Sequence, residues 1–241
     1  MQSVYTQPVT ILPSLCDFEG KLSVPSAFAL FMDAATAHAE LLGIGMNDML
    51  PRGLFWLTVR AKVRFYRRPA MTETVTLRTW PETPERSRCN RDYAIEQGGE
   101  VLAEGRTEWM VMNMKNHRLV PTDTVFPQSL EIDPRRVLAE PFLRLEEDFS
   151  DSVDMGTFTV RSTDIDVGGH MNNAAYIRAL AGAFTSEEWR AMNVRELEAS
   201  YRSPCFEGDT LTLRRRDEGG QVFLRLAREE KTILLARIII G

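Results

Sequence analysis

Tyr66-Arg67-Arg68-Pro69, followed by Thr74-Val75-Thr76-Leu77-Arg78, returns later in the chain as Tyr201-Arg202-Ser203-Pro204 followed by Thr210-Leu211-Thr212-Leu213-Arg214. Each copy places a Tyr-Arg-x-Pro corner between two strand-like runs, and the connections differ by one residue. Upstream of the first copy, Val24, Phe28, Phe31, Ala35, His38 and Leu42 recur at steps of four and three, the apolar stripe of an amphipathic helix, with Gly43 and Gly45 as its stop. Phe55 to Tyr66 then alternates, with Phe55, Leu57, Val59, Ala61, Val63 and Phe65 expected on one face and Trp56, Thr58, Arg60, Lys62, Arg64 and Tyr66 on the other. Further strand-like runs follow at 75–80, 91–96 and 105–114.

The second half repeats that order. A strand-like run at 157–162 leads to an Asn172-Asn173 helix start, and the helix is expected to reach about Trp189. Strand candidates follow at 196–202, 210–215, 222–228 and 232–240. The sequence therefore predicts an α+β chain of tandem repeats, each with a long helix and a bent antiparallel sheet. The expected divisions are an N-terminal repeat over 1–120, a C-terminal repeat over 156–241, and a linker over 121–155. Pro121, Pro127, Pro134 and Pro141 make that linker stiff and extended.

Thr163-Asp-Ile-Asp166-Val-Gly168-Gly169-His170-Met-Asn172-Asn173-Ala-Ala-Tyr176 combines acids, glycines, a histidine and an asparagine pair at the entry to the second helix. Such a stretch supplies a general base, a second proton-handling group, a backbone that can admit substrate and a helix N-terminus. Asp166 is the first candidate for base or nucleophile, with Asp164 as a brace of the loop. His170 is the candidate for orienting water, donating to a carbonyl or holding Asp166 in position. Gly169, Asn172 and Asn173 are candidates for substrate binding, although asparagines in this place also serve as caps. His38, on the apolar stripe, reads as a hydrogen-bonded core or pocket histidine, and His117 as part of a solvated turn.

The segment Asp164-Ile-Asp166-Val-Gly-Gly-His170-Met-Asn172-Asn173-x-x-Tyr176 resembles the signature of acyl-acyl-carrier-protein (acyl-ACP) thioesterases of the bacterial and plant type. His38-Ala39, Gly43, Trp56, Arg60, Thr79-Trp80, Arg91 and Trp109 agree with the N-terminal half of that family, and the resemblance runs from about Cys16 to Asp209. It implies a double hotdog fold whose C-terminal repeat carries the chemistry, while the N-terminal helix and sheet shape the acyl pocket. It also implies hydrolysis of fatty acyl-ACP to free acid and carrier thiol, with no metal or cofactor. The N-terminal counterpart of the motif, Cys16-Asp17-Phe18-Glu19-Gly20-Lys21-Leu22, has neither histidine nor asparagine pair. Two departures stand out. Plant members carry Asn where this chain has Gly168, and Glu before a Cys where this chain has Pro204. Asp166, His170 and the thiol of Cys205 remain as reactive candidates.

Composition sets limits. The chain of 241 residues is 44% hydrophobic and 26% charged, with a formal charge of -5, which argues against general nucleic-acid binding. No signal-peptide pattern or membrane-length apolar run is present in the sequence. The cysteines at 16, 89 and 205 suggest neither a disulfide framework nor a metal site, so a reducing cytoplasm is expected. Arg64, Arg67 and Arg68, with Arg214, Arg215 and Arg216, offer basic clusters for an acidic carrier protein or for the phosphates of coenzyme A. Monomer and homodimer are both compatible with a duplicated chain. The competing readings are an acyl-CoA thioesterase, a hotdog dehydratase or hydratase, and a non-catalytic acyl-binding protein.

Overall fold

The two helical stripes and the strand runs assemble around one continuous antiparallel sheet. The structure, a computed structural model, describes residues 3–241. The N-terminal repeat contains β1 (Tyr5–Thr10), α1 (Val24–Leu41), the short α2 (Met46–Met49), β2 (Leu54–Phe65), β3 (Thr74–Pro81), β4 (Cys89–Gln97), β5 (Glu100–Asn113) and the two-residue β6 (Leu119–Val120). The C-terminal repeat contains β7 (Val153–Thr159), α3 (Asn173–Gly182), α4 (Ser186–Met192), β8 (Val194–Tyr201), β9 (Thr210–Glu218), β10 (Gln221–Arg228) and β11 (Lys231–Ile240). Strand β7 starts inside the 121–155 stretch.

Sheet order is β1-β3-β4-β5-β2-β8-β11-β10-β9-β7, with β6 beside β5. The first five strands and the last five follow the same internal connectivity, so the sheet is two copies of one topology. They join where β2 pairs with β8, Ala61 opposite Ala199 and Lys62 opposite Glu198. This is the double hotdog arrangement, with α1 and α3 packed side by side on the inner face.

Local chemistry explains the boundaries. Ser23 caps α1 by accepting from the Ser26 amide, and Gly43, at φ +68°, turns the chain after it. The second helix is shorter than expected. It stops at Gly182, and α4 starts afresh on a capping box in which Thr185 and Glu188 exchange hydrogen bonds. The expected face assignment of β2 also fails in its first half. A bulge between Thr58 and Arg60 leaves Val59 unpaired and shifts the alternation, so Leu54 and Trp56 join Ala61, Val63 and Phe65 on the helix-facing side.

The outer face of the sheet carries buried charge instead of oil. Lys62 meets Glu198 at 2.9 Å, Arg237 meets Glu196 at 2.6 Å, and Arg106 meets both Asp92 and Glu82 at 2.9 Å. The segment between β6 and β7 lies across this face as an irregular strap. It accepts from the Trp80 indole through the Arg135 carbonyl and from Arg106 through the Leu138 carbonyl, and it donates the Leu143 amide to Glu198. Phe149 packs on Leu235 farther along. No single described helix is long and apolar enough to cross a membrane.

Candidate active site

The loop before each long helix is folded by the same hydrogen bonds, which gives an internal comparison for every residue. In the C-terminal copy, the Asp166 amide donates to the His170 carbonyl and the Gly169 amide to the Asp166 carbonyl. In the N-terminal copy, Asp17 donates to Lys21 and Gly20 to Asp17 in the same way. Ile165 bridges to Met171, as Cys16 bridges to Leu22. Gly169 and Gly20 have φ of +76° and +67°, a conformation that explains glycine at both places. Asp166 thus corresponds to Asp17, Gly168 to Glu19, His170 to Lys21 and the cap Asn172 to the cap Ser23.

The side chains separate the copies. In the N-terminal loop, Arg68 pairs with both Asp17 and Glu19, and Lys21 lies 3.7 Å from Glu19. In the C-terminal loop, the residue matching Arg68 is Ser203, too short to form such a pair. Asp166 Oδ1 accepts from the Gly168 amide at 2.8 Å. Among the described residues, neither its second oxygen nor the His170 ring has a hydrogen-bond partner. Both residues are half-buried, and the Phe206 ring lies 5.3 Å from the imidazole.

The remaining candidates have definite places. Asn172 caps α3 by accepting from the Ala174 amide at 2.8 Å, and Asn173 opens the helix, its carbonyl accepting from the Tyr201 hydroxyl at 3.2 Å. The amides of Ala175 and Tyr176 go to the Asn172 carbonyl, so most donors of the helix start are already used. The amides of His170 and Asn173 have no acceptor among the described residues and are the ones left for a substrate oxygen. Asp164 turns away, accepting from the Arg161 amide and lying 3.5 Å from Arg178, which fits a brace. Pro204 is exposed at its corner. Cys205 is fully buried, and burial pushes its thiol pKa up.

A residue outside the motif also reaches the loop. Phe55, from the N-terminal repeat, touches the loop at Gly168. Beneath α1, the Arg91 guanidinium is buried with no carboxylate partner among the described residues; it donates to His38 Nδ1 at 3.0 Å and to Thr79 Oγ1 at 3.3 Å, and burial pushes its pKa down. Tyr93, Thr107 and Trp109 continue this polar interior, and Trp56 stands edge-on to Trp109 at 6.4 Å. His117 sits in an exposed turn after β5. The basic clusters are largely neutralised: Arg64 by Glu196 and Glu140, Arg67 by Glu73, Arg215 by Asp217, and Arg216 by Glu146 and Glu218.

Residues 2–126 match the family described as the acyl-ACP thioesterase N-terminal domain, and residues 148–236 match its C-terminal domain. The chain belongs to the acyl-ACP thioesterase family. Its relatives include the chloroplastic palmitoyl-acyl carrier protein thioesterase of Cuphea hookeriana, 26% identical over 201 residues and covering 76% of this chain and 47% of that one. The chloroplastic oleoyl-acyl carrier protein thioesterase 2 of Arabidopsis thaliana is 25% identical over 201 residues, covering 75% and 54%. The chain spans about half the length of these curated relatives. The fold matches an acyl-ACP thioesterase from Bacteroides thetaiotaomicron with a TM-score of 0.88 at 19% identity, covering 99% and 98% of the two chains. It matches the 12:0-ACP thioesterase from Umbellularia californica with a TM-score of 0.83 at 20% identity, covering 100% and 98%.

Proposed function

We propose that this acyl-ACP thioesterase family member hydrolyses the thioester of a fatty acyl-acyl-carrier protein. The observation that carries the reading is the contrast between the two loops: one acid is locked by an arginine, and the other is held by a single backbone amide with an oxygen to spare. Asp166 takes a proton from water as the oxygen attacks the thioester carbon. The developing oxyanion is received by the free amides of His170 and Asn173. Collapse of the tetrahedral intermediate breaks the C–S bond, and the carrier sulfur takes a proton to leave as thiol. His170, next to the loop acid, relays to the sulfur the proton that Asp166 took from water, which returns both groups to their starting state. The acyl chain is assigned to the inner side of the N-terminal repeat, near Trp56 and Trp109.

The basic clusters do not choose between protein carrier and coenzyme A, because their charges are mostly paired. The family favours the protein carrier. The cysteines are unpaired, which supports the reducing cytoplasm as the compartment, and the β2–β8 junction lets one chain supply the whole sheet, which supports a monomer. The decisive experiment is thiol release from acyl-ACP and acyl-CoA of several chain lengths, with Asp166→Asn and His170→Ala beside the parent. Losses of about a hundredfold or more in both variants are expected on acyl-ACP. Parental rates in both would remove these residues from the chemistry, and faster turnover of acyl-CoA would transfer the activity to that carrier.

A further inference from the structure

A Cβ built on Gly168 would lie 3.2 Å from Phe55 Cζ, 3.0 Å from Asp166 Oδ1 and 3.4 Å from His170 Nδ1. One point therefore has the phenyl tip, the acid and the imidazole as its nearest neighbours. The glycine is not there for its backbone, since its φ lies outside the left-handed region, unlike that of Gly169. It is there for space, and the space is taken by a side chain from the other repeat.

The N-terminal loop offers a comparison. By the loop hydrogen bonds, Gly168 corresponds to Glu19. Arg190, on α4, lies 3.9 Å from Glu19, so the matching loop position of the N-terminal copy is also met by a side chain from the other repeat. In the N-terminal loop the contact is between opposite charges and helps to tie up the loop. In the C-terminal loop it is an aromatic ring against a bare backbone, leaving the acid and histidine beside it free of charge partners.

We infer that Phe55 is a positioning residue of the active site. Its ring takes the space next to residue 168 and makes glycine the residue that fits there. The ring forms an apolar wall against the carboxylate and imidazole, holding both in place and limiting water to what the reaction uses. The role rests on the hydrolase reading; the contact itself does not.

The test is a cycle of Phe55→Ala, Gly168→Asn and the double variant, with Phe55→Leu as the conservative control, read by acyl-ACP kinetics and thermal melts. Phe55→Ala is expected to lower kcat by roughly ten- to a hundredfold with KM little changed, as for displaced catalytic groups. Phe55→Leu should keep most of the rate. Gly168→Asn should be impaired alone, because the ring must give way, and the double variant should outperform both single variants. Full activity of Phe55→Ala, or losses that simply multiply in the double variant, would overturn the inference. If the parent turns over no acyl thioester, the hydrolase reading fails separately. The melting temperatures then decide the contact, coupling upholding it and additivity overturning it.

Discussion

Cys205 illustrates how the environment of a residue decides its chemistry. A thiol is a nucleophile only as thiolate. This one is fully buried, its pKa is pushed up by that burial, and its own amide is occupied in donating to the Tyr176 hydroxyl. Cys205→Ala is therefore expected to release thiol from acyl-ACP at close to the parental rate, and a folded variant without turnover would return the sulfur to the mechanism. Asp166 and His170 were legible as candidates because acid, glycines, histidine and cap lie together in one stretch of chain. Phe55 was not, since its contact with Gly168 joins two strand-and-loop environments far apart in sequence. The pairing of Arg68 with Asp17 was equally hidden: the repeated Tyr-Arg-x-Pro corner was visible, but not that its variable position faces the loop acid.

Strands and helices were readable where one periodicity governed a whole element, and failed where a local hydrogen bond interrupted it. The alternation in β2 breaks at Val59, where the bulge reverses it, and the apolar helix pattern after Asn173 breaks before Thr185, whose hydroxyl starts a new helix. Pairing between elements also creates properties that no element has alone. Asp92 on β4 stands opposite Arg106 on β5 and accepts from its Nε at 2.9 Å, while the same guanidinium serves Glu82. Burial outweighs this pairing and raises the Asp92 pKa from 3.8 to about 7. The folded state then keeps a proton that the unfolded chain has already lost, so this group's contribution to stability falls as pH rises through that interval. Relative to Asp92→Asn, the parent is expected to lose up to about 4 kcal/mol between about pH 4 and pH 7, at roughly 1.4 kcal/mol per pKa unit. Urea unfolding of both proteins across this range measures it, and a pH-independent difference would show that Asp92 titrates alike in both states.

On the scale of the molecule, duplication means that neither repeat owns its sheet edge at the centre. β2 and β8 share one ladder, and the side chains over that seam form a network of charges. Lys62 pairs with Glu198, and Arg237 with both Glu196 and Glu198, all with little solvent contact. The strap then crosses the seam, its Leu143 amide donating to Glu198 at 2.6 Å. Repeats joined in this way should unfold together. Trp56, Trp80 and Trp109 lie in the N-terminal repeat and Trp189 in the C-terminal one, so fluorescence of single-tryptophan variants reports on each. Their urea transitions are expected to coincide with each other and with loss of far-UV circular dichroism. Lys62→Met leaves Glu198 with only a share of Arg237, which also serves Glu196, and breaking a buried pair on one side costs about 3 kcal/mol or more. The substitution should move the midpoints of all probes together, because the seam belongs to both repeats. Midpoints that separate in the parent, or a Lys62→Met shift confined to the N-terminal tryptophans, would mean that the repeats fold as independent units and that the shared ladder adds little to either.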